Sequence, residues 1–304
     1  MSFTLIIYFE PVRAESELDT FALELSIYQN SKNTRFLSKF YSDRDYSPIF
    51  VTEKNEGRAS ALLMALESSD YHGIPSALYN LNEIRYDIKK LRSETELGEL
   101  EVKLAKNFIL YVRHMKSGVL DPEAINVRLI ENTVLEDDVV IPKQLDLKLQ
   151  KIDFLGVFRT FLQSNPISFF KQIQPQVNDY VLLVREKRYL ERTKKMGGWG
   201  ERIKASILVP GDQGEEVVKL RNRLIRMGLM QKSYSPFYDN KLKRSVRKFQ
   251  MLHGLSQDGI AGEITLNEIN KPIKDRLMLI VASLERRRWL NRNYEQKYLI
   301  VNIP

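Results

Sequence analysis

Val209-Pro210-Gly211-Asp212-Gln213-Gly214 is a turn-forming sequence that leads into the most regular helical pattern of this chain. In the segment that follows, apolar residues recur three or four positions apart, the period of a helix with one buried face. Those residues are Val217, Leu220, Leu224 and Met227. Gly228 comes directly after them, and glycine commonly stands just past a helix end. The spacing therefore predicts an amphipathic helix between Gly214 and Gly228.

The same order of turn, helix and glycine recurs further along the chain. Tyr238-Asp239-Asn240 opens a second predicted helix, whose inward residues are Leu242, Val246, Phe249 and Leu252. A third, short helix follows Gly262 and carries Thr265, Leu266 and Ile269. Asp212 and Asp239 each precede a helix, where a carboxylate can accept hydrogen bonds from free amide groups. About sixty residues can thus close a small three-helix core.

The region before this module also has a helical pattern. A long helix is predicted from about Glu96 to Ser117, and Gly118 is placed to end it. Another begins near Gly57 and ends at His72-Gly73-Ile74-Pro75, where Pro75 prevents continuation. Further helices are expected around residues 144–161 and 166–192, with a charged segment at 131–138 between them and the long helix. Lys194-Lys195-Met196-Gly197-Gly198-Trp199-Gly200 is interpreted as a linker.

Composition narrows the classes of protein that fit. The 304 residues suffice for two modest domains, and a net charge of +8 favours anionic partners such as nucleic acid, anionic lipid or acidic peptides. With no cysteine, the chain cannot form disulfides or use a thiolate. No apolar run reaches the ~20 residues of a membrane span. The run at residues 3–9 is interpreted as a buried strand, with the remnant of a signal peptide as the alternative.

The histidines suggest neither a metal site nor a cofactor. His72, His114 and His253 are far apart in sequence, and no carboxylate stands at metal-ligand spacing from them. No catalytic residue, metal ligand or cofactor site is therefore predicted.

Three motifs in the last third resemble the peptidoglycan-binding domain of many cell-wall enzymes. They are Gly-Asp-x-Gly-x-x-Val-x-x-Leu from Gly211, Val-x-x-Phe-Gln from Val246, and Gly-Leu-x-x-Asp-Gly-x-x-Gly-x-x-Thr from Gly254. Arg221 departs from that family, which commonly has glutamine there, and it adds a charge beside Arg223 and Arg226.

The earlier region resembles the scaffold domain of long bacterial L,D-transpeptidases. The motifs that carry the likeness are Phe40-Tyr41, Arg44-x-Tyr46-x-Pro48, His72-Gly73-Ile74-Pro75, Gly118-Val119-Leu120-Asp121-Pro122 and Gly197-Gly198-Trp199. Near the end, Arg288-Trp289 and the run Tyr298-x-x-Val301-Asn302-Ile303-Pro304 resemble the entry to the catalytic domain of those enzymes. The L,D-transpeptidases cross-link peptidoglycan through a cysteine in a Ser-His-Gly-Cys type of motif. In this sequence such a motif would lie beyond Pro304.

The resemblance and the helical pattern together predict a mainly α chain. Residues 1–33 are unassigned, 34–195 form a helical scaffold domain, and 205–271 form a small three-helix peptidoglycan-binding domain. Residues 272–304 provide a connecting helix, from about Ile273 to Leu290, and the first strand of an absent β-rich catalytic domain. The arginines 286–288 are expected to remain in water while Trp289 packs in a core.

The predicted ligand site lies on the second helix of the module. Its residues are Tyr238, Asp239, Lys241, Arg244 and Lys248, which offer an aromatic surface and cationic donors. The implied partner is peptidoglycan, through its glycan strands or its carboxylate-bearing stem peptides. The implied location is periplasmic or in the cell envelope, although no clear signal peptide is present; the oligomeric state is left open.

Three functions remain as hypotheses. The first is a non-catalytic scaffold and peptidoglycan-binding portion of an L,D-transpeptidase involved in cell-wall cross-linking. The second is a truncated piece of the intact transferase, whose cysteine domain follows residue 304. The third, ranked below the others, is a basic nucleic-acid-binding protein, which would show strongly salt-dependent DNA binding.

Overall fold

The computed structural model describes residues 19–121 and 151–289. It divides into two compact units, Met1–Val181 with Leu284–Pro304 and Leu182–Ser283. The predictions for residues 1–18, the charged segment 131–138, the beginning of the helix near 144 and the closing strand at 298–304 lie outside the described residues. The boundary between the units falls within two helices.

The described part of the first unit is built from helices and short 3-10 turns. Its helices are α1 Thr20–Ser31, α2 Arg35–Ser42, α3 Glu56–Glu67, α4 Leu81–Lys90, α5 Glu94–Ser117, α6 Phe154–Gln163, α7 Pro166–Gln172 and the beginning of α8 Asn178–Lys195. A 3-10 turn over Ser68–His72 follows α3. The long predicted helix is α5, which agrees with the prediction within two residues at its start.

The second unit contains the predicted three-helix module. Its elements are the rest of α8, α9 Glu215–Arg226, α10 Asn240–Leu252, α11 Glu263–Asn270 and α12 Ile273–Trp289 up to Ser283. Among residues 19–121 and 151–289 the β pairing consists of two isolated bridges, Leu208 with Ala261 and Gln213 with Phe237. The mainly α prediction is therefore confirmed, and so is the helix expected near residues 273–290.

The ends of α5 follow from the residues there. The Ser93 hydroxyl accepts a hydrogen bond from the Glu96 amide at 3.3 Å and caps the first turn. Gly118 ends the helix with φ of 81°, a value that favours glycine. A β-carbon at Gly118 would also collide with the side chains of Glu285 and Trp289. Both conformation and space therefore require glycine at this position.

Phenylalanine rings fill the centre of the first unit. The Phe108 ring lies 4.5 Å from Phe158 and 4.7 Å from Phe161, between ring centroids. Phe169 and Phe170 lie within 6.0 Å of the same ring. Aromatic pairs at such distances contribute beyond the burial of their area. The four helices α2, α5, α6 and α7 are thereby joined around one aromatic core, because Phe40 of α2 also lies 4.2 Å from Phe158.

Two sequence expectations differ from the structure. The region 166–192 is two helices rather than one continuous helix, with Pro175 in the break between α7 and α8. The proposed linker at 194–200 is folded within the second unit. Its Trp199 is 6% exposed and packs with Leu190 and Ile273. Arg226 Nη1 also donates to the Gly198 carbonyl at 3.0 Å, so this stretch is an anchored turn.

Candidate functional site

Helix α10 carries the predicted ligand site, and Asp239 fixes its start. The Asp239 Oδ1 atom accepts a hydrogen bond from the Leu242 amide at 2.8 Å, as expected of an N-cap. Burial alone would raise the pKa of Asp239, but this hydrogen bond and the Arg221 guanidinium hold it below its ordinary value. Asp212 has a different role from the predicted one. Its Oδ2 accepts from the Val209 amide at 2.8 Å and closes its own turn.

The cationic residues of the predicted site face solvent. Lys241, Arg244 and Lys248 are all exposed, while Leu242, Val246 and Phe249 of the same helix are buried. The spacing of three and four residues places the cations on one face, about 10 Å along the helix axis. The helical period in the sequence therefore placed these three side chains correctly.

Tyr238 does not provide the aromatic surface expected of it. Its side chain is 2% exposed, and its hydroxyl donates to the Gly259 carbonyl at 2.9 Å. Burial raises the pKa of Tyr238 above its ordinary value, with the Asp258 and Asp212 carboxylates adding to the effect. The ring belongs to the core of the module, where it packs with residues of all three helices. Its role is to fix α10, not to contact a ligand through an exposed face.

The three cations line one side of a groove of about 340 Å³. The opposite side is formed by residues 229–233, with Lys232 as a fourth cation. Sequence reasoning missed Lys232, because it lies between two helices where no periodicity indicates which way a side chain faces. The lining consists of Leu229, Met230, Gln231, Lys232, Ser233, Lys241, Arg244, Ser245 and Lys248.

In the part of the chain that the structure describes, these four cations have no acidic partners. Within residues 19–121 and 151–289, no carboxylate oxygen lies within 4.0 Å of the ammonium or guanidinium nitrogens of Lys232, Lys241, Arg244 or Lys248. Lys219 on α9 provides the contrast. Its ammonium contacts Glu201, Glu215 and Glu216 at 3.6, 2.6 and 2.9 Å, and the hydrogen bonds to Glu215 and Glu216 raise its pKa.

The charge that Arg221 adds beside Arg223 and Arg226 is buried and supports the module from within. The Arg221 side chain is fully buried, and its Nη2 donates to the Phe237 carbonyl at 2.5 Å. Nη1 donates to Ser233 Oγ at 3.3 Å, and Asp239 Oδ2 lies 3.1 Å from Nη2. The sequence gives no means of distinguishing an inward from an outward arginine on α9. Arg221 thus joins both walls of the groove.

The neighbouring arginines also hold the main chain within this unit. Arg223 donates through Nη2 to the Ile269 carbonyl at 2.9 Å and through Nη1 to the Glu201 carbonyl at 2.9 Å. Burial lowers the pKa of Arg223 to about 10, with Arg202 and Arg276 adding to the shift. Since Arg226 holds the turn at Gly198, all three arginines of α9 act on the backbone and none of them lines the groove.

The first unit contains buried polar groups that are already satisfied. The Glu101 carboxylate is fully buried and accepts from the Tyr41 hydroxyl at 2.6 Å. It also accepts from the amides of Ile49, Phe50 and Val51 at 2.8, 2.9 and 3.2 Å. Burial raises the pKa of Glu101, and these hydrogen bonds oppose the shift. The sequence signal that could have revealed this contact is the position of Glu101 within the apolar stripe of the long predicted helix.

The arginines before Trp289 were expected to remain in water, and Arg288 contradicts this. It is 1% exposed, and its Nη1 donates to the His72 carbonyl at 2.9 Å and to the Tyr180 hydroxyl at 3.1 Å. Its Nη2 pairs with Glu285, whose Oε1 accepts from the Val119 and Leu120 amides at 2.6 and 2.7 Å. The expectation was wrong because these partners come from distant segments of the first unit. Arg286 is exposed, as expected.

The histidines act as hydrogen-bonding partners in the structure. His114 Nδ1 lies 2.9 Å from the Tyr79 hydroxyl, and burial, aided by the Arg113 charge, lowers the pKa of His114 to about 4. His72 Nδ1 lies 3.1 Å from the Tyr180 hydroxyl. In the described ranges, no three His, Asp or Glu side chains gather as a metal-binding set. No helix within those ranges combines the length and apolar character that a bilayer crossing requires.

The chain thus contains a helical region before a small three-helix module, and the module carries a basic groove. The family model described as Scaffold domain matches residues 35–186, half of the chain, and the chain belongs to that family. A peptidoglycan-binding domain model matches residues 213–269. The two matches agree with the resemblance to the N-terminal region of scaffold-containing L,D-transpeptidases. No curated protein matches the chain.

Together these matches support a role associated with the cell wall. The peptidoglycan-binding domain also supports peptidoglycan as a partner and a location outside the cytoplasm or at the wall.

Proposed function

We propose that this chain is the scaffold and peptidoglycan-binding portion of a periplasmic L,D-transpeptidase, and that the 304 residues act as a non-catalytic module held at peptidoglycan. The observation that carries the proposal is the row of exposed cations on α10, within the residues matched by the peptidoglycan-binding domain. None of these cations has a carboxylate partner among residues 19–121 and 151–289. Peptidoglycan offers carboxylates that such a row attracts. The site comprises Lys241, Arg244 and Lys248, with Tyr238 and Asp239 fixing the helix that presents them.

The contacts with the polymer are exposed ion pairs, so each contributes little. Such pairs contribute on the order of 0–1 kcal/mol and weaken as salt is added. A wall polymer repeats its anionic groups, however, and the cations of the site are linked on one helix. Once one contact forms, the effective concentration for the next contact is raised, so several weak contacts together can retain the chain. Binding to insoluble sacculi should therefore be detectable even though a single site is weak.

The direct test is co-sedimentation of the purified chain with peptidoglycan sacculi. We expect the unaltered chain to sediment at low salt and to be released as salt increases. The double change Arg244→Glu with Lys248→Glu should abolish sedimentation, because it replaces two attractive charges with repulsive ones. A matched control is Lys204→Glu with Lys274→Glu, which alters the net charge equally at two exposed lysines outside the groove. If the control loses binding equally, net charge rather than this site is responsible.

The transferase activity itself requires a nucleophile that this chain lacks. An L,D-transpeptidase forms an acyl-enzyme through a cysteine thiolate, and the chain contains no cysteine. We therefore expect no covalent adduct when the chain is incubated with a carbapenem and analysed by intact-mass spectrometry. A stoichiometric mass increase would contradict the non-catalytic proposal. The likeness at Arg288-Trp289 and Val301-Asn302-Ile303-Pro304 favours the alternative that this sequence is part of the intact transferase.

Nucleic-acid binding is the remaining hypothesis, motivated by the net charge of +8. It predicts tight association with a DNA duplex at low salt that falls steeply as salt rises. We expect binding to sacculi to exceed binding to a 20-base-pair duplex at equal ionic strength. A strong gel shift without sedimentation would favour the nucleic-acid hypothesis instead.

A further inference from the structure

The groove on the module has a lining that indicates which part of peptidoglycan it binds. Four of the nine lining side chains are cationic and none is acidic. None of the lining residues is aromatic, so the groove walls offer no flat apolar face for a sugar ring. The chemistry of the lining is that of a receptor for carboxylates.

The nearby aromatic residues, Tyr234 and Tyr238, do not line the groove. Tyr238 is buried beneath the helix start. Tyr234 lies beside the groove and is highly exposed, but the Lys232 ammonium lies 5.4 Å from the centre of its ring. At that distance the ring stabilises the cation. Tyr234 therefore helps to hold Lys232 near the groove rather than forming part of its lining.

The arrangement of the charges suits a ligand with more than one anionic group. Lys241, Arg244 and Lys248 extend over about 10 Å of one helix face. Lys232 extends the cationic lining onto the facing wall. A single carboxylate could satisfy one or two of these cations, whereas a short peptide with several free carboxylates could contact all four.

Buried contacts hold the two walls in place before any ligand arrives. Arg221 donates to Ser233 Oγ on the loop side, and it pairs with Asp239, which caps α10. Its third partner is the Phe237 carbonyl, in the segment that joins the two walls. A groove fixed in this way loses little conformational entropy on binding.

We propose that this groove binds the stem-peptide part of peptidoglycan, through two or more free carboxylates, and not the glycan part. This inference rests on the proposed function and specifies its ligand. Lys232, Lys241, Arg244 and Lys248 are the contact residues, and Arg221 is a positioning residue that acts through the two walls.

The inference can be tested by NMR titration of the full chain labelled with nitrogen-15. The probes are a synthetic stem tetrapeptide with free carboxylates, the same peptide with its carboxylates amidated, and a neutral N-acetylglucosamine oligomer. We expect shifts of amides at residues 229–233 and 241–248 with the free-acid peptide, and at least about tenfold weaker binding of the amidated peptide. The glycan oligomer should leave these amides unmoved. Saturable glycan shifts at the same amides, or equal binding of both peptides, would overturn the inference.

A substitution at Lys232 distinguishes a local contribution of this residue to peptide binding from an effect of net charge. Lys232→Gln should weaken the free-acid peptide about threefold, as expected for one exposed charge pair, and leave the amidated peptide unaffected. Lys274→Gln, an exposed lysine outside the groove, is the matched control and should change neither. Equal effects of the two substitutions would remove Lys232 from the site.

The positioning role of Arg221 is tested by a conservative change. Arg221→Lys keeps the charge but cannot reach Ser233, Phe237 and Asp239 together with one planar group. We expect a folded variant with weaker peptide binding whose salt dependence is unchanged, since the contacting cations remain. A changed salt dependence would make Arg221 a contact residue and contradict the assignment.

Failure of this inference differs measurably from failure of the proposed function. If sacculi retain the chain while the free-acid peptide causes no shifts, the stem-peptide assignment is wrong and the wall association stands. If the chain fails to sediment with sacculi, the proposed function itself is wrong, and the inference falls with it.

Discussion

Two buried charges of the first unit, Glu101 and Arg288, and the cations in the groove of the module have opposite environments. In the first unit, Glu101 and Arg288 are buried, and each meets several partners from distant segments. In the groove, Lys241, Arg244 and Lys248 are exposed and have no carboxylate partner among the described residues. The first kind of charge maintains the fold, because removing it leaves its buried partners unsatisfied. The second kind remains available to bind a ligand.

This difference explains why net charge alone describes the protein poorly. Several of its arginines are internal and hold the backbone, as Arg221, Arg223 and Arg288 do. The anion-binding capacity therefore depends on where the unpaired cations lie. Changes to the buried charges should therefore reduce stability far more than changes to the groove cations.

Loss of the buried carboxylate should have the largest effect. Glu101→Ala leaves the Tyr41 hydroxyl and the amides of residues 49–51 without their acceptor, each at the cost of an unsatisfied buried group. We expect a loss of about 4 kcal/mol in the free energy of unfolding, measured by urea denaturation. Glu99→Ala, at an exposed position of the same helix, should change it by less than about 0.5 kcal/mol. Similar losses in the two variants would refute the structural role of Glu101.

Loss of the buried guanidinium should have the next largest effect. Arg288→Met removes the donors to His72 and Tyr180 and leaves the Glu285 carboxylate without its cation. Breaking a buried pair in this way should destabilise the first unit by about 3 kcal/mol, measured by urea denaturation. Arg286→Met, at the exposed neighbour, is the control. A harmless Arg288→Met would show that the pair contributes no net stability.

Acidification should destabilise the chain through His114. Its pKa in the fold is about 4, below the ordinary value of 6.5, so the unfolded chain binds the proton more readily between these values. Stability should therefore fall as the pH decreases from about 6.5 towards 4. His114→Gln, which can still form a hydrogen bond with the Tyr79 hydroxyl, should reduce this slope in thermal unfolding. Some slope should remain, because burial also lowers the pKa of His253. An unchanged slope would exclude His114 as its source.

Charge reversal in the groove should have the smallest effect on stability. Arg244→Glu with Lys248→Glu should change the free energy of unfolding by less than about 0.5 kcal/mol, because both side chains face water. Binding to sacculi should nevertheless be lost. A large fall in the unfolding temperature would mean that these side chains support the fold, and the contrast with Glu101 and Arg288 would then fail.

Sequence analysis predicted the local elements better than their surroundings. The helix from Glu94 to Ser117, its terminal Gly118 and the exposed face of α10 all followed from the spacing of apolar residues. The break at Pro175 and the folded turn around Trp199 were missed. Both places are short segments without a regular spacing of apolar residues, so contacts with other segments determine their conformation.

The candidate site shows the same division between local and distant information. Lys241, Arg244 and Lys248 could be assigned to one helix face, since three- and four-residue spacing determines direction on a helix. The burial of Tyr238 and the position of Lys232 on the facing wall could not be predicted from the sequence, because they depend on how separate segments pack together.

Local periodicity, motifs and composition were enough to predict the mainly helical class, the resemblance to two known domains and the lack of cysteine. The packing of distant segments was needed to show which charges are structural and which remain available to a ligand. Arg221 and Arg244 are alike in chemistry, but one is enclosed by Ser233, Phe237 and Asp239 and the other faces a groove. Burial and partners are properties of packed segments, so the sequence of either helix alone does not contain them.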